Sequence, residues 1–180
     1  INLNASPFHR GKHKERWQVL ADRATEQSIP MIYVNQVGGQ DELVFDGGSF
    51  AVNADGELAV VAPDFEEGCF DLSVERTVRG VEIAQGVAAT ALSDVAAVWQ
   101  ALVLGVRDYV EKNGFPGVVL GLSGGIDSAV TLAVAVDALG ADRVQAVMMP
   151  FKYTADMSVE DAGEQASIMG VEYDVISIEP

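Results

Sequence analysis

Residues Gly117 to Ser128, G-V-V-L-G-L-S-G-G-I-D-S, constrain this chain more than any other stretch. Val118-Val119-Leu120 is short, apolar and β-branched, which predicts a buried strand. Ser123-Gly124-Gly125-Ile126-Asp127-Ser128 breaks that run, and a helical pattern follows at once. A glycine pair between strand and helix lets backbone approach a ligand closely. The N–H groups of the loop and of the first helical turn then converge where the helix dipole favours an anion. Ser123 and Ser128 add hydroxyls to the same place. Asp127 is the odd member, because a bare phosphate repels a carboxylate. Its presence makes sense if a divalent cation accompanies the phosphates, as Mg²⁺ accompanies ATP. The stretch lacks the lysine of a G-x-x-x-x-G-K-[ST] loop, and Gly121, Gly124 and Gly125 have the wrong spacing for G-x-G-x-x-G. The pattern therefore predicts a nucleotide phosphate site of another kind.

The intact S-G-G-I-D-S after a buried strand resembles the pyrophosphate loop of the ATP pyrophosphatases. Those enzymes adenylate a carboxyl or carbonyl oxygen and let an amine displace AMP. The resemblance implies that Gly121, Leu122, Ser123, Gly124, Gly125, Ile126, Asp127 and Ser128 wrap the β- and γ-phosphates of ATP. The amides of Gly124, Gly125 and Ile126 would be the main donors. Ser123 and Ser128 would bond phosphate oxygens, with helix capping as the plain alternative for Ser128. Asp127 would hold Mg²⁺. Met149 lies at the end of the next expected strand, where the family keeps M-P before a polar loop. It would pack against adenine or pair with it through its backbone, and Lys152 would reach a phosphate. Ordinary core and surface roles fit Met149 and Lys152 equally well.

Around this loop the 180 residues alternate strand and helix. Ile1–Asn4, Met31–Val34, Phe50–Val52 and Leu58–Val61 read as strands, and His13 to Gln27 as a helix carrying Trp17, Leu20, Ala21 and Ala24 on one face. Asp55-Gly56 between two apolar runs predicts a hairpin. From Thr77 to about Ala91 strand periodicity disappears, which predicts a linker. Ser93 or Asp94 then caps a helix with Val95, Val98, Trp99, Leu102, Val106 and Tyr109 on one face, ending at Asn113-Gly114. Beyond the loop the spacing predicts a helix from about Ser128 to Leu139, a strand over 144–149, and a helix reaching Met169. Ser158 and Asp161 read as a variant capping box for that last helix, and a final strand covers 173–178. Such βαβ units make a parallel sheet whose ligands sit at the carboxyl ends of strands. The chain opens in a strand without methionine and stops just after another, so it reads as an excerpt of a longer protein.

The first half carries a second resemblance. N-A-S-P-F at 4–8, followed by V-N-Q-V-G-G-Q-D-E-L-V-F-D-G-G-S-F at 34–50, resembles the C-terminal part of the nitrilase-type glutaminase domain of the glutamine-dependent NAD synthetases. The S-G-G-I-D-S loop resembles the start of that family's synthetase domain. The two together span nearly the whole chain. They imply an α/β protein: the C-terminal part of a nitrilase-like α/β sandwich, then the start of a parallel-sheet, Rossmann-like adenine nucleotide α-hydrolase fold. The implied modules are 1–78, a linker over 79–93, and 94–180.

The implied reaction adenylates the nicotinate carboxylate of deamido-NAD with ATP and Mg²⁺. Ammonia from glutamine then displaces AMP. Ser6 and Lys12 match the family's glutamine-binding serine and the basic residue six positions on, where a cation suits the substrate's α-carboxylate. The glutaminase cysteine, lysine and glutamate are expected upstream of Ile1, so no catalytic residue falls within these residues. Cys69, in E-E-G-C-F-D, does not match that nucleophile and reads as a small apolar filler. His9 and His13 have no partners at metal-ligand spacing and read as surface residues.

Composition narrows the partners. A formal charge of −16, shared by both halves, argues against nucleic acid and anionic membranes. No apolar run reaches membrane-spanning length, and the single cysteine fits a reducing cytoplasm. The family implies a homo-oligomer. Two rivals remain at this level. GMP and asparagine synthetases also carry S-G-G-x-D-S loops and use glutamine, but pair them with different glutaminase folds. Alternatively the excerpt is an inert binding or assembly piece. On any of these readings the isolated residues are expected to show no glutaminase activity and little or no NAD synthesis.

Overall fold

The apolar runs of the first half pair into a sheet. In the computed structural model, which describes residues 1–78 and 80–179, the chain divides into two units, 1–101 and 102–180. The first unit holds β1 (Asn2–Asn4), α1 (Lys12–Gln27), β2 (Met31–Asn35), β5 (Phe50–Val52) and β6 (Leu58–Val61). Between β2 and β5 come β3 (Val37–Gln40) and β4 (Leu43–Asp46), which pair as an antiparallel hairpin. The main sheet has the order β1-β2-β5-β6, with β1 parallel to β2 and the rest antiparallel.

One face of this sheet packs on α1, where Trp17, Leu20 and Ala24 meet Tyr33, Phe50 and Val52. The Tyr33 and Phe50 rings stack at 5.1 Å, and Trp17 meets Phe50 edge-on at 6.2 Å. The other face buries Ala51, Ala59, Val60 and Ile83. The expected hairpin is present. Gly56 takes φ +84° in its turn and donates its N–H to the Asn53 carbonyl.

The segment read as a linker is not devoid of strand. β7 (Val74–Thr77) pairs with β8 (Gly80–Ile83), and Ile83 belongs to the core just described. Asn53 clasps the Ile83 backbone through both its amide oxygen and its amide nitrogen, at 2.8 and 2.9 Å. Past β8, Val87 and Ala89 bond Val61 alongside β6. There the alanine-glycine run hid this pairing, because small residues pair through backbone and leave no side-chain periodicity.

α2 (Asp94–Lys112) begins in the first unit and ends in the second. Ser93 caps it, its hydroxyl accepting the Ala96 N–H. The face expected to be apolar is not the buried one: Val95, Leu102 and Tyr109 are exposed, whereas Ala101, Leu104 and Val110 are buried. The helix is apolar nearly all round, so spacing alone does not select a face.

The second unit is a three-stranded parallel sheet, order β11-β10-β9, from β9 (Val118–Gly121), β10 (Val144–Met148) and β11 (Glu172–Val175). α3 (Ile126–Leu139) links β9 to β10, and α4 (Asp156–Met169) links β10 to β11. Leu132, Ala135 and Leu139 of α3, Ala162 and Ala166 of α4, and Val144, Ala146 and Met148 of central β10 form the buried interior.

Three boundaries differ most from expectation. α3 starts at Ile126 rather than near Ser128, which places Asp127 in its first turn. α4 starts at Asp156 after Ala155, with no side-chain cap, so the Ser158–Asp161 capping box does not form. Ser158 instead donates its own N–H to the Ala155 carbonyl inside the first turn. β11 ends at Val175, although Ile176 and Ile178 still bond Met148 and Pro150.

Candidate nucleotide site at the strand carboxyl ends

The loop between β9 and α3 is held from both ends. Leu122, almost wholly buried, donates its N–H to Val147 at 2.9 Å, so the turn cannot begin before the strand ends. Gly124 then takes φ +75°, a region that penalises any side chain. A Cβ there would run into the backbone of Ser158 at the start of α4. Gly125 is ordinary by contrast, extended at φ −92°, with only Ser123 Oγ near an added Cβ, at 3.4 Å. The two glycines thus serve different needs: Gly124 allows a turn against α4, and Gly125 caps α3.

Ser123 and Ser128 face each other, their hydroxyl oxygens 3.0 Å apart. Ser128 Oγ donates to the Gly125 carbonyl at 2.9 Å and accepts the Ser123 N–H at 3.2 Å. Its one proton is therefore used, so Ser123 donates within the hydroxyl pair and accepts a long bond, 3.3 Å, from the Gly125 N–H. The amides of Gly124, Ile126, Asp127 and Ser128 have no acceptor among the described residues. These are the orphan donors of a helix start, open toward the positive end of its dipole. The Asp127 carboxylate is exposed and makes no ion pair among the described residues.

Beside the loop lies an open cleft of about 380 Å³, lined by Gly121, Leu122, Ser123, Val147, Met148, Met149, Thr154, Ala155 and Ser158. It sits at the carboxyl ends of β9 and β10. Met149 is half exposed, and its Cε lies 3.4 Å from where a Cβ on Gly121 would be. Sequence assigned no site role to Thr154, and it marked Ser158 only as a helix cap. Nothing in local spacing points either of them at a ligand, since only the packing of α4 against the loop brings them there. Lys152 Nζ lies over the Tyr153 ring, 4.9 Å from its centroid. A group of three or more His, Cys, Asp or Glu side chains able to hold a metal does not occur among the described residues.

In the first unit Ser6 lies in the loop after β1, its N–H bonded to Asn35 Oδ1 at 2.8 Å. Lys12 opens α1. Neither lines the cleft just described. Two readings of single residues are corrected here. Cys69 is exposed and fills nothing, because the E-E-G-C segment runs along the surface. His9 is exposed, but His13 is not a surface residue: its ring packs edge-on to Trp17 at 4.5 Å, and its Nδ1 lies 3.4 Å from Asp64 Oδ1. The reach of Asp64 across the fold could not be read from spacing. Among the described residues, no helix is long and apolar enough to cross a membrane.

Comparison with known proteins matches each half separately. Residues 1–88 match the carbon-nitrogen hydrolase family and residues 98–180 the NAD synthase family. A glutamine-dependent NAD(+) synthetase of Acinetobacter baylyi is 50% identical over 182 residues, covering 99% of this chain and 32% of that protein. The corresponding protein of Synechocystis is 45% identical, covering all of this chain and again 32% of its own length. Among solved structures, that of the glutamine-dependent NAD+ synthetase of Acinetobacter baumannii in complex with ADP superposes with a TM-score of 0.93 at 50% identity. It matches 99% of this chain and 34% of its own. The chain thus spans about a third of the length of these relatives. Two family matches in one order, and relatives that carry both over nearly every residue, make this chain similar throughout to the stretch of the glutamine-dependent NAD(+) synthetases where the carbon-nitrogen hydrolase part gives way to the NAD synthase part.

Proposed function

We propose that these residues serve, within the intact protein, the synthesis of NAD from deamido-NAD, ATP and ammonia drawn from glutamine. In this reading the nicotinate carboxylate attacks the α-phosphorus of ATP and pyrophosphate leaves. Ammonia then displaces AMP to form the amide. The observation that carries it is the set of unpaired amides at the start of α3, opening at the strand ends beside the cleft. A polyanion suits those donors, and no side chain among the described residues occupies them.

The loop Gly121–Ser128 would take the β- and γ-phosphates. A phosphate oxygen would accept from Gly124 and Ile126, and the long Gly125–Ser123 bond is the one most easily exchanged for it. Met149 would lie against the adenine. The loop holds no general acid or base, so its contribution is orientation and stabilisation of charge on the departing pyrophosphate. Mg²⁺ fits Asp127 in a limited way: one exposed, unpaired carboxylate suits a cation that takes most of its ligands from phosphate and water. When bound, the ion would neutralise phosphate charge.

Ser6 and Lys12 would contact glutamine, with the glutaminase nucleophile, lysine and glutamate supplied by other parts of the protein. The glutaminase-type module would end, and the synthetase module begin, within 79–93. A cytoplasmic homo-oligomer that binds neither nucleic acid nor membrane completes the proposal.

The test is product analysis on the intact protein with deamido-NAD, Mg-ATP and either glutamine or ammonium. One AMP and one pyrophosphate per NAD are expected from both nitrogen sources. Release of ADP, or failure to consume deamido-NAD, overturns the assignment.

A further inference from the structure

The most heavily buried charges of the first unit surround a two-residue piece of backbone that belongs to no strand. Arg16 on α1 and Asp46 at the end of β4 have side chains only 5% exposed. Arg16 Nη1 donates to both Asp46 carboxylate oxygens, at 2.9 and 2.8 Å. Its Nη2 donates to the carbonyls of Ser6 and Pro7, at 2.9 and 3.0 Å. Asn35, at the end of β2, completes the ring. Its Oδ1 accepts the Ser6 N–H at 2.8 Å, and its Nδ2 donates to the Ser6 carbonyl at 3.1 Å and to Asp46 at 3.4 Å. Every backbone polar group of Ser6 and Pro7 is thereby held by a side chain. No hydrogen bond among the described residues reaches the Ser6 hydroxyl, which is left for something outside the ring.

A buried ion pair is a poor device for stability alone, because desolvation offsets much of the attraction and an apolar pair of similar volume often does as well. What an apolar pair cannot do is grip two carbonyls in one plane, as a guanidinium fork does. Four elements converge on that grip: the loop after β1, α1, β2 and β4.

We propose that Arg16, Asp46 and Asn35 are positioning residues for glutamine. They fix the Ser6–Pro7 backbone so that the Ser6 hydroxyl is presented to the substrate in one orientation. Asp46 aligns the guanidinium, Arg16 and Asn35 hold the peptide, and Ser6 makes the contact. The inference rests on the proposed role of Ser6 in binding glutamine.

The test compares, in the intact protein, glutamine-driven and ammonium-driven NAD formation for Arg16→Lys and for the double variant Arg16→Met with Asp46→Leu. Lysine keeps the charge and loses the fork. The double variant removes both charges and keeps an apolar interior. For both, KM for glutamine rises by about tenfold or more through misplacement of the contact, with kcat within about twofold and the ammonium-driven rate retained. A purely structural role would lower both rates together and leave KM unchanged, and that result overturns the proposal. A KM for glutamine equal to that of the parent in the double variant overturns it too. If the double variant does not fold, Arg16→Lys decides alone. Ser6→Ala separates the two layers. If it leaves KM for glutamine unaltered, the reading of Ser6 falls and the proposal with it; if Ser6→Ala raises KM and Arg16→Lys does not, only the positioning role falls.

Discussion

Gly124→Ala tests whether the loop's shape depends on its contact with α4. Alanine at φ +75° is left-handed backbone for a residue with a Cβ, which costs about 1–2 kcal/mol. The added carbon also meets the carbonyl, carbon and Cα of Ser158, all backbone, so no side chain can swing away. Relieving that overlap means shifting the start of α4, a distortion of the size that costs about 1–3 kcal/mol when a tight interior is overfilled. Reduced freedom of the unfolded chain returns about 0.4–1 kcal/mol. The net loss is about 1–4.6 kcal/mol, above about 2 kcal/mol at the middle of each range, and localised where α3 and α4 meet the loop. Gly125→Ala is the matched control. Its φ of −92° is ordinary and its nearest neighbour is a hydroxyl at 3.4 Å, so it shifts stability by no more than about 0.5 kcal/mol. Peptide-resolved hydrogen exchange on the intact protein reads this directly. Peptides within Ile126–Leu139 and Asp156–Met169 should exchange about 30-fold faster or more in Gly124→Ala, the factor that 2 kcal/mol implies. In Gly125→Ala they should stay within about threefold of the parent. Equal protection in the two variants would refute the argument that backbone contact with Ser158 demands a glycine.

Asp127→Asn should weaken Mg-ATP binding and flatten its dependence on Mg²⁺ in calorimetric titration. Because the carboxylate is exposed at a helix start, it should change stability by only about 0.3–1 kcal/mol. Arg16→Ala strands Asp46 as a buried unpaired charge and should destabilise the first unit by about 3–5 kcal/mol in urea unfolding followed by Trp17 fluorescence. The Tyr173 hydroxyl is buried without a hydrogen-bond partner among the described residues, and burial raises its pKa above the ordinary 10.0. Above that pH the unfolded chain loses the proton first, so stability falls as pH rises. Tyr173→Phe should be neutral or stabilising near neutral pH and should remove that alkaline slope, as measured by unfolding across the range.

What the sequence determined by itself is local. The β9–loop–α3 unit was legible as strand, turn and helix because a β-branched run, a glycine pair and a helical pattern leave few conformations open, and Asp55-Gly56 announced its hairpin for the same reason. The burial expected of β9 was not met, since it lies at the sheet edge with Val119 exposed. The βαβ order of the second half and the two motifs of the first were equally plain. What only the tertiary structure decided is long-range. The clasp of Asn53 on Ile83 drew an expected linker into the first unit, and the backbone of Ser158 turned out to be the reason for Gly124. α2 buries Leu104 rather than Leu102, and Arg16 meets Asp46 across thirty residues. Each of these depends on which surface arrives from elsewhere in the chain. Periodicity records how a segment divides between polar and apolar, but a contact between distant segments leaves no trace in the spacing of either one.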